Sequence, residues 1–213
     1  MPLQVDVISD VVCPWCYIGK QRLDEALSQW RRTHPDDEIE VNWHAFQLNP
    51  GMTVEGMDRQ TYVAEKFGGP ERAREIYARV TAAGRDAGID FDFSRMQIQP
   101  NTRQAHRLIA WASEQGRQHA LVDALFRAYF LSAHDLTQDS VLAGIAAEAG
   151  LDREAAGVFL ASDSLADAVA EDEALARDLQ VQGVPFFIIN RRLALSGAQP
   201  ADVISQAIRE ATA

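Results

Sequence analysis

The sequence predicts an α/β fold in which both ends of the chain build one unit around a long helical insertion. Residues 1–50 show a strand–helix–strand pattern, residues 51–162 show helical periodicity, and residues 163–213 read helix, strand, strand, helix. At 213 residues the chain is long enough for one large domain with a substantial insertion. We therefore predict a βαβ…αββα layout, with 1–50 and 163–213 as one discontinuous domain and 51–162 as an inserted, all-helical domain.

The N-terminal elements follow from the spacing of apolar residues. Leu3–Ser9 reads as a short buried strand, and the 3–4 spacing of apolar residues after it predicts a helix from Pro14 to about Arg32. The polar run at 34–37, with its proline, ends that helix. Residues Ile39–Ala45 alternate between apolar and polar, which is the period of a strand. A right-handed crossover makes the two strands parallel.

The remaining elements follow in order. One further helix is predicted over Asp163–Gln180, with a solvated acidic face at 171–173, and strands over Pro185–Asn190 and Leu193–Ser196 precede a last helix at about Gln199–Thr212. Helical periodicity between residues 51 and 162 predicts six segments: Arg59–Lys66, Glu71–Ala87, Thr102–Glu114, Ala120–Ser132, Ser140–Ala149 and Arg153–Ala161.

Charge and composition argue against several classes of partner. The net charge is −11 and the isoelectric point is near 4.8, which disfavours binding to nucleic acid or to an anionic membrane surface. The first residues lack a basic segment followed by an apolar one, so no secretory signal is visible. We therefore expect a cytoplasmic protein that binds neither nucleic acid nor membrane. The sequence makes no prediction of its oligomeric state.

Cys13 and Cys16 are the only two cysteines and are separated by Pro14 and Trp15. Where a strand leads into a helix, Cys13 lies at the helix N-terminus, which favours a thiolate, and Pro14 suits the first helical position. A thiolate attacks disulfides, and a second thiol one turn along releases the mixed disulfide. The pair therefore predicts dithiol–disulfide exchange. The alternatives are half a zinc site, which lacks a second ligand pair, and inert buried thiols.

The segment from Gly183 to Phe186 is the second signal. A proline at the start of a strand removes no central ladder hydrogen bond, so Pro185 could be an ordinary strand-start proline. Combined with the thiol pair, the segment favours a cis Val184–Pro185 bond that presents the Val184 backbone outward.

These motifs and the element order resemble the thioredoxin fold, and the helical insertion makes the chain resemble the DsbA family. Its FrnE-like, non-secreted branch is the most similar, over nearly the whole chain. The resemblance rests on four segments, which are Asp10–Lys20, Phe46–Pro50, Asn101–His106 and Gly183–Phe187.

The resemblance implies a mixed central sheet and a protein disulfide oxidoreductase without metal or cofactor. Cys13 would be the exposed nucleophile, Cys16 the buried resolving thiol, and Val184–Pro185 the loop that pairs with an extended substrate. Trp15 is expected to be exposed and to contact substrate. Protein, peptide or small-thiol disulfides are the expected partners, with glutathione as a candidate co-substrate. Strongly oxidising relatives carry Pro-His between the cysteines, and this chain carries Pro-Trp.

Five further residues are candidate modulators of the thiols. Pro14 lies between the cysteines, Asp10 either tunes the active-site turn or is a plain turn residue, and Lys20 is either near the thiols or solvated on its helix. Arg103 and His106 would line the cleft, unless His106 is a structural histidine.

Two other functions stay open. Glutathione-dependent isomerases and transferases of the 2-hydroxychromene-2-carboxylate isomerase and kappa types resemble this scaffold, but they typically have serine where Cys13 stands. The second is a redox-gated sensor or chaperone, in which the thiol pair controls a surface of the helical insertion.

Overall fold

A computed structural model describes residues 2–213 of the protein. Within that range, no helix combines the length and the apolar character needed to cross a membrane. In chain order the elements are β1 (Leu3–Ser9), α1 (Pro14–Thr33), β2 (Ile39–Ala45), β3 (Met57–Asp58), α2 (Arg59–Phe67), α3 (Pro70–Asp86), β4 (Ile98–Gln99), α4 (Arg103–Ser113), α5 (Gln118–Phe130), α6 (Asp139–Glu148), α7 (Arg153–Leu160), α8 (Ala166–Asp178), β5 (Phe186–Ile189), β6 (Leu193–Ser196) and α9 (Ala201–Thr212).

The main sheet has four strands in the order β2-β1-β5-β6. Strands β1 and β2 are parallel from Leu3 opposite Ile39 to Ser9 opposite Ala45, as the crossover predicts. Strand β5 runs antiparallel to β1, with Phe186 opposite Ile8, and β6 is antiparallel to β5. The sheet is therefore mixed, as predicted. Its register brings the ends of β1 and β2 and the start of β5 to one edge.

One continuous hydrophobic core joins the sheet to the insertion. Helix α1 buries Tyr17, whose ring stacks on Phe126 of α5 at 5.1 Å between centroids and lies 6.0 Å from Phe130. Aromatic pairs in this geometry add to the free energy gained by burying their area. The division into domains at residues 50 and 163 stays a prediction, because packing is continuous across it.

The insertion is helical but not all-helical, which corrects the sequence-based expectation. Met57–Asp58 pairs antiparallel with Ile98–Gln99 in a separate two-stranded sheet. A strand of two residues is too short to show the alternation of apolar and polar residues that predicts a strand. Its partner also lies forty residues further along the chain. Helix α8 also begins later than predicted, because Leu165 has a left-handed backbone with φ of 55°.

A polar cluster holds α8 on strand β2. His44 Nδ1 lies 2.8 Å from Asp172 Oδ1, and its Nε2 lies 3.6 Å from Asp6 Oδ1. Asp172 also accepts a hydrogen bond of 2.8 Å from the backbone N–H of Ala45. The expectation that residues 171–173 form a solvated face is wrong for Asp172, since α8 packs against β2. The hydrogen bonds that His44 donates to the carboxylates of Asp172 and Asp6 raise its pKa to about 9.

We predict that replacing His44 by glutamine destabilises the fold in a pH-dependent way. Because the pKa is raised in the folded state, the stabilisation is complete below the ordinary value of 6.5 and is lost as pH rises through about 9. Urea unfolding should show a difference between wild type and His44→Gln on the order of 2 kcal/mol at pH 6, after allowing for partial exposure. The difference should shrink towards zero by about pH 10.

His134→Gln is the matched control, because that side chain is exposed. Its difference from wild type should be small and independent of pH. A His44→Gln difference that stays constant between these pH values would contradict the predicted charge interaction.

Candidate active site

The two cysteines lie where β1 passes into α1. Cys13 is the N-cap of α1, with an extended backbone, and Pro14 occupies the first turn. The Cys13 N–H donates to the Asp10 carbonyl at 3.0 Å, and the Cys16 N–H donates to the Cys13 carbonyl at 3.0 Å. These bonds form the turn and first helical turn that place both sulfur atoms at the positive end of the helix dipole. This local geometry agrees with the sequence-based expectation.

Cys13 is less exposed than the family resemblance implies. Both cysteines are free thiols, with 5% of Cys13 and 0% of Cys16 accessible to solvent. In the segment before β5, the Val184 carbonyl oxygen lies 3.7 Å from the Cys13 sulfur. The sulfur can therefore donate a hydrogen bond to the same backbone group that the sequence assigned to substrate binding. Trp15, between the thiols, is 38% exposed, as expected.

The surroundings of Cys16 keep it in the thiol form. Burial raises the pKa of Cys16 well above its ordinary value, and the neighbouring Cys13 raises it further. The Ser9 hydroxyl and the Asp10 backbone N–H donate hydrogen bonds to the sulfur and offset part of this effect. The chemistry of the two sulfurs is therefore asymmetric. Cys13 lies at the helix N-terminus and keeps 5% of its surface exposed, whereas Cys16 has no accessible surface.

The Val184–Pro185 peptide bond is cis, as the motif predicts. Pro185 is buried against α1, and its carbonyl accepts a hydrogen bond from the Gly197 N–H at 2.8 Å. Gly19 makes this packing possible, because a Cβ atom there would lie 2.7 Å from Pro185 Cγ and 3.1 Å from Phe187. Gly19 is not among the functional residues predicted from the sequence. A glycine inside a helix, one turn after the second cysteine, was the available signal.

Asp10 and His106 form a buried pair below the active-site turn. Asp10 has no accessible surface, and its carboxylate lies 3.2 Å from His106 Nε2. The same carboxylate accepts a hydrogen bond of 2.8 Å from the Leu48 N–H. Asp10 thus joins the turn after β1, the loop after β2 and helix α4. It is more than a plain turn residue, and His106 is a satisfied structural histidine rather than a residue lining a cleft.

Lys20 is neither solvated nor paired with the thiols, which corrects the sequence-based expectation. It is 5% exposed, and its ammonium lies 2.8 Å from Asp24 and in contact with Asp123 of α5. Because α5 covers this face of α1, the lysine is buried and needs carboxylate partners. The sequence alone does not indicate that α5 packs against this face of α1. Arg103 is exposed at the start of α4 and donates to the Ala166 carbonyl at 3.4 Å.

No cluster of three or more His, Cys, Asp or Glu side chains with metal-binding geometry occurs among residues 2–213. Three of the five histidines pair with carboxylates, and these are His44, His106 and His119.

Comparison with known proteins identifies the class. Residues 4–209 match the family model of the DSBA-like thioredoxin domain, so the chain belongs to this family.

A probable DsbA oxidoreductase from Streptomyces coelicolor is 34% identical, with a TM-score of 0.88 over 99% of this chain and 90% of that one. Two more distant structures share the fold. The cytosolic disulfide reductase DsbM of Pseudomonas aeruginosa is 17% identical, with a TM-score of 0.69 over 98% of this chain and 100% of its own. A 2-hydroxychromene-2-carboxylate isomerase is 18% identical, with a TM-score of 0.70 over 97% and 95%.

We predict that Gly19→Ala disturbs the contact between α1 and Pro185. The added methyl group meets the proline ring and Phe187 at distances that force one of them to move, so stability should fall by about 1–3 kcal/mol. Urea unfolding measures this change directly.

Gly144→Ala in α6 is the matched control, because a Cβ there meets nothing within 4 Å. Alanine favours helix over glycine, so this variant should be unchanged or more stable by up to about 1 kcal/mol. Equal effects of the two substitutions would show that Gly19 has no special packing role.

Proposed function

We propose that the protein is a dithiol–disulfide oxidoreductase that reacts through Cys13 and resolves through Cys16. The observation that carries this proposal is the placement of Cys13, whose sulfur lies at the N-terminus of α1 and 3.7 Å from the Val184 carbonyl. Cys16, one turn further, is buried and held as a thiol. A nucleophile at a helix N-terminus and a protected second thiol are the two parts that the exchange requires.

The reaction balances without a metal or a nucleotide. The Cys13 thiolate attacks one sulfur of a substrate disulfide, and the other substrate sulfur leaves as a thiolate and takes a proton. Cys16 then loses its proton and attacks the Cys13 sulfur, which releases the second substrate thiol and forms the Cys13–Cys16 disulfide. The substrate gains two electrons and the protein loses two. The reverse sequence oxidises a substrate dithiol, and the reduction potential sets the direction.

The Val184 backbone is the proposed contact for substrate. An extended peptide bound along this segment would place its disulfide beside Cys13 and displace the hydrogen bond between the Cys13 thiol and Val184. Trp15 offers an apolar surface at the same edge. Protein and peptide disulfides are the proposed substrates at this edge of the sheet, and glutathione is a further candidate because a structure of DsbM contains it. We further propose that the protein acts in the cytoplasm, as does the cytosolic reductase that shares its fold.

The isomerase or transferase function is the second candidate, since an isomerase structure shares the fold. At 18% identity this likeness concerns the fold alone. The intact pair of cysteines favours thiol exchange, because an enzyme that activates the thiol of glutathione needs no second cysteine.

We predict that Cys13→Ser lowers the rate of insulin reduction, with dithiothreitol as reductant, by at least about 100-fold, because a serine hydroxyl does not form disulfides. Cys16→Ser should instead accumulate a mixed disulfide between Cys13 and the substrate, visible by mass spectrometry under non-reducing conditions. The two variants separate attack from resolution.

Each serine variant serves as the control for the other, since both replace a sulfur by an oxygen in the same turn. Undiminished turnover by Cys13→Ser would contradict the proposal. Glutathione-dependent isomerisation or conjugation that survives in the double variant would support the second candidate instead.

A further inference from the structure

A cavity lies in the insertion, on a face of α2. Its volume is about 500 Å³, within the range of about 300–1,000 Å³ that is typical of small-molecule sites. Its apolar walls come from α2, α3 and the segment before β4. The principal lining residues are Arg59, Val63, Pro70, Tyr77, Phe93 and Met96. Tyr77 and Phe93 stack on each other with ring centroids 4.4 Å apart, so one wall is a flat aromatic surface.

Arg59 is the one basic side chain among the residues that line this cavity. Its guanidinium donates hydrogen bonds to the Tyr77 hydroxyl at 2.7 Å and to the side-chain oxygen of Gln99. It also lies 5.3 Å and 5.7 Å from the ring centroids of Tyr62 and Tyr77. All four contacts are with neutral groups. Within residues 2–213, no carboxylate lies within 4 Å of this guanidinium, although it is half-buried.

Asp58, the one acidic residue that lines the cavity, does not pair with Arg59. Asp58 is exposed and caps α2, where its Oδ1 accepts hydrogen bonds of 2.9 Å from the Thr61 N–H and hydroxyl. These bonds lower the pKa of Asp58, so the carboxylate stays charged and bound to the helix terminus. The Arg59 charge therefore lacks a counter-ion at a site where charges are usually paired.

From this juxtaposition we infer that the cavity binds a small organic molecule with one carboxylate on an apolar body. The carboxylate pairs with Arg59, which can donate two parallel hydrogen bonds to it. The apolar body packs against Tyr77, Phe93 and Met96. A phosphate dianion fits less well, because the cavity supplies a single cation. The residues that line the cavity include neither Cys13 nor Cys16.

Isothermal titration of the full chain, with its thiols reduced, tests the inference with three probes of one shape. These probes are 4-phenylbutyrate, 4-phenylbutanol and 4-phenylbutylamine. We expect the carboxylate to bind one-to-one and at least about tenfold more tightly than the alcohol, since hydrogen bonds to charged groups are the stronger ones. The amine should bind most weakly because Arg59 repels it.

Two substitutions assign the binding to this cavity. Arg59→Gln should bring the affinity for the carboxylate down to that for the alcohol, and Val63→Phe should weaken both by filling the space. Val158→Phe adds the same ring at an exposed position of α7, away from the cavity, and should leave binding unchanged.

Three outcomes would overturn the inference. They are equal affinity of wild type for carboxylate and alcohol, unchanged binding by Val63→Phe, and no binding of 4-phenylbutyrate up to millimolar concentration. The Val63→Phe arm keeps the test decisive even if Arg59→Gln fails to fold. Binding retained by Cys13→Ser would separate this site from the proposed redox function.

Discussion

The antiparallel pairing of β5 with β1 is the constraint on which the candidate active site depends. Because Ile8 lies opposite Phe186, the residues that follow β1 and those that precede β5 meet at one edge of the sheet. Cys13 and Val184, 171 residues apart in the chain, come into contact there. The parallel strand β2 ends at the same edge, so the loop after it can reach Asp10. A one-residue slip of β5 would turn its buried residues to the other face and remove this convergence.

Polar and charged pairs then hold three helices against this frame. Asp10 contacts His106 of α4, Lys20 contacts Asp123 of α5, and Asp172 of α8 contacts His44 of β2. Each of these pairs joins the sheet unit to a helix that follows β2 in the chain. Apolar packing alone tolerates small shifts of a helix, whereas a buried charge that loses its partner costs several kcal/mol. These pairs therefore fix where the helices lie on the sheet and also stabilise their packing.

Local patterns in the sequence were sufficient for the strands of the main sheet, for most helix positions and for the thiol–proline pair. What they could not supply depends on contacts between distant segments. Lys20 looks like a surface lysine until α5 covers it, and Asp172 belongs to an acidic run that looks solvated until α8 packs on β2. The two-residue strands of the insertion exist only through their partners. The role of Gly19 likewise appears only when Pro185 is in place.

The low exposure of Cys13 has a consequence for how substrate is selected. Because the Val184 carbonyl covers the sulfur, a disulfide that arrives alone must displace this contact without compensation. An extended peptide replaces it with backbone hydrogen bonds of its own and adds an apolar contact with Trp15. In the proposed exchange, this cover would disfavour small disulfides more than peptide ones and would shield the Cys13 sulfur from oxidants. Such selectivity would arise from a backbone oxygen. It therefore cannot be predicted from the side chains of the motif.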